Sequence, residues 1–175
     1  MENAQEAETR IQELRKELVE KDRELEIQAA LEKVRSRSMT MHGTDELSDV
    51  LSVLFEQFDV LGISPLYTFL SLVDLEKNLV TYRQTGKGGA KVSGEIQFPL
   101  DSMAEWEDIV RRMKDGNIHS VICTHYPIET FPKIWEVFGE IFDALPEGSK
   151  VFPEDFPNGI FTVLGYCKYG FIGYD

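Results

Sequence analysis

The sequence has few cysteines and no long apolar run. Its 175 residues include only two cysteines, Cys123 and Cys167, which are too few for a disulfide framework and are compatible with a reducing compartment. The N-terminus lacks the basic start and apolar core of a signal peptide. No uninterrupted apolar stretch approaches the roughly 20 residues of a transmembrane helix. We therefore expect a cytoplasmic protein without membrane insertion, or the cytoplasmic part of a larger protein.

Basic side chains are scarce in most of the chain. Residues 44–175 hold twenty-one acidic and ten basic side chains, a net charge of −11, whereas residues 1–43 hold ten acidic and eight basic ones. Nucleic acids and anionic membranes are bound through clusters of Lys and Arg, and the sequence has no such cluster. We therefore expect no nucleic-acid partner. A hydrophobic content of 42% with eleven Phe is enough for a packed core.

Glycine and proline are absent from residues 2–41, where strong helix formers predict one long helix. Four apolar residues follow the 3-, 4- and 7-residue steps of a coiled-coil seam: Ile11, Leu14, Leu18 and Leu25. After Leu25 the apolar positions change phase, as at a stutter, to Ile27, Ala30, Leu31 and Val34. A helix with so narrow a seam is marginal alone. We predict a homodimer formed through this helix, with a solvated single helix as the alternative.

Residues 44–175 predict one α+β domain. A helix that Gly62 ends is predicted by seven apolar residues at helical spacing: Leu47, Val50, Leu51, Leu54, Phe55, Phe58 and Leu61. Six segments have the apolar pattern of strands: 64–74, 79–85, 95–100, 118–126, 159–167 and 170–175. Two aromatic-rich helices, 103–116 and 129–145, interrupt them. This order predicts a central, largely antiparallel sheet of about six strands with helices on both faces.

The first third of the chain resembles the opening of GAF domains in bacterial sensory proteins, especially those of histidine kinases and nucleotide cyclases. The stretch is "AALEKVRSRSMTMHGTDELSDVLSVLFEQFDVLGI". The residues that carry the resemblance are Ala30, Leu31, Glu32, Val34, Arg35, Arg37, Met39, Met41 and His42. The later "IFTVLGY" is similar to the family's final hairpin, so the likeness covers roughly residues 25–174.

The resemblance implies a non-catalytic GAF-like sensory domain, residues 44–175, behind a signalling helix, residues 1–43. Such a module binds a small molecule, dimerises through its helix and passes the ligand state to an output module such as a kinase or cyclase. GAF domains generally close with a C-terminal helix, which this sequence lacks; an excised fragment and a lost helix are both compatible with that. The alternative function is a dimerisation or protein-interaction module of the same fold with a filled core.

The resemblance also places a ligand pocket between the sheet and the two middle helices. Tyr67, Phe69 and Ser71 share one face of the first predicted strand, and Trp106 and Trp135 lie on the middle helices. Cys123 and His125 would share one face of the fourth strand and add polar groups. We therefore predict these seven residues as pocket residues. The ligand and any cofactor are not identified by the sequence, and ordinary core packing is the alternative for the aromatic side chains.

Other chemistries have weaker support. His119 and Cys123 on one extended strand would lie about 13 Å apart, too far to share one metal ion. Cys123 and His125 could form a nucleophile pair, but no orienting group or oxyanion hole accompanies them. In GAF domains that hold a bilin, the cysteine is followed directly by histidine, whereas Thr124 separates them here. "TGKGGAK" (85–91) fits no phosphate-loop pattern. We expect no enzyme and no metal site.

Overall fold

The computed structural model describes residues 2–43, 46–92, 94–102, 107–116, 121–167 and 169–175. The helices are α1 (Glu2–Met39), α2 (Leu47–Val60), α3 (described over Glu107–Lys114) and α4 (Phe131–Ala144). The strands are β1 (Thr68–Asp74), β2 (Leu79–Gln84), β3 (Ile96–Pro99), β4 (Val121–Tyr126), β5 (Ile160–Cys167) and β6 (Gly170–Tyr174). The predicted α+β class, with a long N-terminal helix and a six-stranded antiparallel sheet, is confirmed.

The sheet has the strand order β3-β2-β1-β6-β5-β4, and every neighbouring pair is antiparallel. Strand β1 is central: Phe69 is opposite Gln84 of β2 on one side and Gly173 of β6 on the other. Strands β3 and β4 follow each other in the chain but lie at opposite edges. The connection that contains α3 therefore crosses the whole width of the sheet.

The two faces of the sheet pack against different helices. One face buries Phe69, Val80 and Phe171, and side chains of α3 and α4, including Val110 and Phe138, pack against this core. Directly paired residues of neighbouring strands share a face, so each face can be followed across the sheet. Helix α2 covers part of the other face, where the ring centroids of Phe58 and Tyr174 lie 4.9 Å apart.

Helix α1 has two parts with different neighbours. Its 38 residues make a rod of about 57 Å, and the predicted seam, Ile11, Leu14, Leu18 and Leu25, is 47–62% exposed. The second part contacts α2: the Arg23 guanidinium donates to the Leu61 carbonyl at 2.6 Å, and Ala30 is buried. Of the apolar residues after the predicted stutter, Ala30 is buried, whereas Ile27 and Leu31 are 40% and 56% exposed. No described helix is both long and apolar enough to cross a membrane.

An ion-pair junction joins α1, α2 and the β2–β3 loop. The Arg37 guanidinium lies 2.6 Å from an Asp49 carboxylate oxygen and 2.9 Å from one of Glu46, and Lys91 of the loop also pairs with Asp49. These contacts from Lys91 and Arg37 lower the pKa of Asp49. In the same loop Gly89 has a φ of +81°, and a Cβ at this position would clash with the Phe55 ring. Ion pairs therefore connect the C-terminal end of α1 with α2 and the β2–β3 loop, and close packing joins that loop to α2.

Candidate functional site

A cavity of about 190 Å³ lies between the sheet and α4. Helix α4 contributes four apolar side chains to it: Ile134, Phe138, Ile141 and Phe142. The sheet contributes five aromatic residues, Phe69, Tyr82, Phe98, Tyr126 and Phe171, and two aliphatic ones, Ile160 and Leu164. The remaining lining residues described are Thr162 and Asp175. An engineered cavity of about 150 Å³ in another protein admits benzene, so this space is large enough for a small organic molecule.

Among the described lining residues, Asp175 alone has a carboxylate side chain. Strand pairing puts Asp175 next to Thr162 of β5, whose hydroxyl donates to Oδ1 at 2.5 Å. Asp175 keeps some exposed surface, but packed side chains enclose its carboxylate. This loss of water raises the pKa of Asp175 to about 6, against the opposing effect of the Thr162 hydrogen bond. The carboxylate is thus held where its charged form is poorly stabilised.

The backbone of Asp175 is fixed by the start of β1. The amide of Asp175 donates to the Tyr67 carbonyl at 3.2 Å, and the Leu66 amide donates to the Asp175 carbonyl at 2.6 Å. The nearby phenols stay neutral: burial, and then the charge of Asp175, raise the pKa of Tyr82 well above its usual value. The Tyr82 hydroxyl donates to Gln84 at 2.5 Å. Hydrogen bonds therefore fix the polar end of the cavity, where Asp175 is the only acidic side chain among the described lining residues.

Four of the predicted pocket residues lie at or behind the cavity. Phe69 lines it. Tyr67 lies in the adjoining core and donates its hydroxyl hydrogen to Asp155 at 2.7 Å. Ser71 is completely buried, and its hydroxyl has no hydrogen-bond partner among the described residues. The Trp135 ring packs against Phe142, with centroids 5.2 Å apart, and supports the cavity wall from behind.

Cys123 and His125 lie on the other face of the sheet. Cys123 is paired with Val163, which is paired with Tyr174, and Tyr174 contacts α2. Both Cys123 and His125 are exposed, and Cys123 is a free thiol. Their side chains therefore point away from the cavity. Trp106 and His119 lie outside the described residues. Within the described part of the chain, no three His, Cys, Asp or Glu side chains are grouped closely enough to hold a metal ion.

Known proteins give no further assignment. No protein-family model, curated protein or solved structure matches the chain. The candidate site therefore rests on its own geometry, which is an aromatic cavity with one enclosed carboxylate at its end.

The sequence contains a signal for Asp175, which is not among the predicted pocket residues. Asp175 is the only acidic residue after Asp155, and it ends a strongly apolar strand. Alternation along that strand puts it on the same face as Phe171, the core-facing aromatic residue. A lone carboxylate on the buried face of a strand is unusual, because its charged form loses water there. That combination singles out Asp175 without a structure.

Proposed function

We propose that this chain is a cytoplasmic, GAF-like regulatory module that binds a small molecule in the cavity and transmits the ligand state through α1. The observation that carries the proposal is the cavity itself: about 190 Å³ of mainly apolar space with an enclosed carboxylate at one end. Apolar pockets with a few polar groups of perturbed pKa are typical of ligand sites. The resemblance of residues 25–174 to GAF domains supports the same function.

A chain of contacts connects the cavity with α1. Asp175 lines the cavity, and the preceding residue, Tyr174, points to the opposite face and packs on Phe58 of α2. Helix α2 ends beside α1, where Arg23 bonds to the Leu61 carbonyl. A ligand that shifts the end of β6 would therefore displace α2 against α1. We propose that this displacement favours one of two packings of α1 and is passed on to an output module such as a kinase or cyclase.

Dimerisation through the exposed α1 seam is the second part of the proposal, and it predicts a concentration-dependent dimer. Leu14 and Leu18 are 47% and 61% exposed, so the described fold leaves them available to a partner helix. Replacing both with Ser removes apolar surface that a partner helix would bury. We expect the Leu14→Ser/Leu18→Ser variant to dimerise about a hundredfold more weakly in sedimentation velocity.

Val19 provides the matched control for the seam. It is 68% exposed, but its heptad position lies outside the seam. Val19→Ser should keep the dissociation constant of the parent chain. A parent chain that stays monomeric at high micromolar concentration, or an equal loss with Val19→Ser, would contradict dimerisation through this seam.

Ligand binding is tested by filling the cavity from α4. Ile141 lines the cavity, and Ile141→Phe adds ring atoms to that space. A thermal-shift screen of small metabolites should give compounds that stabilise the parent chain and fail to stabilise the variant, since ligands that bind only the folded state raise its melting temperature. Circular dichroism checks that the variant remains folded.

The same substitution on the opposite face is the control. Ile172 of β6 is 36% exposed and does not line the cavity. Ile172→Phe should leave every ligand-induced shift in place. If no compound stabilises the parent chain, or if Ile141→Phe retains all the shifts, the sensory function fails and the interaction module with a filled core becomes the better description.

A further inference from the structure

One oxygen of the Asp175 carboxylate accepts no hydrogen bond from the described residues. Thr162 donates to Oδ1, whereas no described residue donates to Oδ2. The carboxylate therefore lacks the two or three donors that normally compensate a buried charge. A ligand in the cavity is in a position to provide the missing partner.

The rest of the cavity offers that carboxylate no positive charge. None of the described lining residues is basic, and the four side chains from α4 are all apolar. Among the described residues, the Thr162 hydroxyl donates to Asp175, and the phenols of Tyr67 and Tyr82, whose pKa values are raised by burial and by the Asp175 charge, are neutral near neutral pH. Within the described part of the chain, the acidic end of the cavity thus has no counter-ion.

The aromatic walls favour the same kind of ligand. Phe69, Tyr82, Phe138, Phe142 and Phe171 line the cavity, and the faces of aromatic rings attract cations. The net charge of −13 also raises the local concentration of cations around the protein. An anionic ligand would meet the opposite conditions: a carboxylate, electron-rich rings and no described cation in the wall.

From this arrangement we infer that the cavity binds a small organic cation, an ammonium group on an aromatic or aliphatic body about the size of a benzene ring. The inference rests on the proposed ligand-binding function and adds the chemical class of the ligand. The ammonium group donates to Asp175 Oδ2, and the apolar body fills the space between the sheet and α4. No covalent step is involved.

The test compares benzylammonium with benzyl alcohol, which has the same shape and the same number of non-hydrogen atoms but no charge. Isothermal titration calorimetry on the whole chain near neutral pH should show benzylammonium binding at least about tenfold more tightly. Asp175→Asn removes the charge and should bring the two affinities to within about twofold. Thr162→Val removes the competing donor but keeps the carboxylate, so it should retain the preference for the cation.

The possible failures are distinguishable. If both compounds bind equally and Ile141→Phe abolishes both, the cavity binds ligands but the inference of a cation is wrong. A preference for benzylammonium that survives Asp175→Asn also overturns the inference, because another group then recognises the charge. If neither compound binds, the inference fails, and the metabolite screen with Ile141→Phe decides whether the proposed function fails with it.

Discussion

An Asp175→Asn variant should gain stability relative to the parent chain as the pH rises from about 4 to about 7. Burial raises the pKa of Asp175 from 3.8 to about 6 in the folded protein. Between these values the folded chain keeps a proton that the unfolded chain has released. Raising the pH therefore removes stability from the parent, and a shift of this size corresponds to at most about 3 kcal/mol.

The direction in which stability changes with pH distinguishes Asp175 from most carboxylates. Asp155 has a lowered pKa, because hydrogen bonds from Lys87, Tyr67 and the Phe152 amide outweigh the effect of burial. Its ionisation adds stability above about pH 4, which is lost as the pH falls through its folded pKa. Asp155→Asn should therefore lose stability relative to the parent as the pH rises to about 4, below the range in which Asp175→Asn gains it. The two variants thus have pH dependences of opposite sign in two successive pH ranges.

Urea unfolding of the parent and both variants at several pH values measures this directly. The decisive quantity is the change with pH in the difference between variant and parent. Any packing cost of the new amide is the same at every pH and does not affect that change. A constant difference for Asp175→Asn from about pH 4 to pH 7 would show that the carboxylate is fully hydrated in the folded chain. The cavity would then have no buried charge at its end.

A charge that lowers stability needs a reason to be where it is. Natural proteins often keep destabilising polar groups at functional sites, where activity limits how far stability can be improved. Asp175 fits this pattern, because its carboxylate lines a cavity and ionises at a cost. A bound ammonium ligand would remove that cost, so ligand binding and the ionisation of Asp175 are expected to be coupled.

Gly173→Ala should destabilise the chain by about 2–3 kcal/mol, because a Cβ at this position has no room. It would lie 2.6 Å from the Phe69 ring and 2.6 Å from the Val163 carbonyl oxygen. The carbonyl belongs to the β5–β6 pairing and cannot move without breaking it. Phe69 lines the cavity and would be pushed into it, so ligand binding should weaken together with stability.

A second strand glycine provides the control. A Cβ at Gly165 of β5 would have its nearest neighbour, the Ile172 carbonyl oxygen, 3.8 Å away, which is ordinary contact. Gly165→Ala should therefore be neutral or stabilise the chain by about 0.5–1 kcal/mol, since alanine restricts the unfolded chain. Thermal and urea unfolding compare the two variants. Equal effects at both positions would mean that the contact between Gly173 and Phe69 is not tight.

The sequence predicted most elements but not their arrangement. The helical spacing of apolar residues in Leu47–Val60 and the strand-forming residues of Leu79–Gln84 are local properties of each element, so a helix and a strand were predictable there. The position of β3 and β4 at opposite edges depends instead on a crossing over the whole sheet. No local pattern records such a crossing, so the strand order was not predictable from the sequence.

The candidate site was predicted in part for a similar reason. Phe69 lines the cavity, but β1 is apolar on both faces, so only the resemblance to GAF domains indicated which of its faces would meet a pocket. In β4 both sets of alternate residues mix polar and apolar types, so Cys123 and His125 could not be assigned to a face from the sequence. The apolar positions of α1 likewise did not indicate which of them the fold buries: Ala30 is buried, whereas Ile27 and Leu31 are exposed.

The central position of β1 also determines the order in which the molecule can fold. Strand β1 pairs with β2 across a short turn, but its other neighbour, β6, follows about a hundred residues later in the chain. Pairings this distant in sequence form slowly, because a long loop must close first. During synthesis the edge of β1 that pairs with β6 therefore stays unpaired until β6 has emerged from the ribosome. An unpaired apolar strand edge of this kind is prone to aggregation.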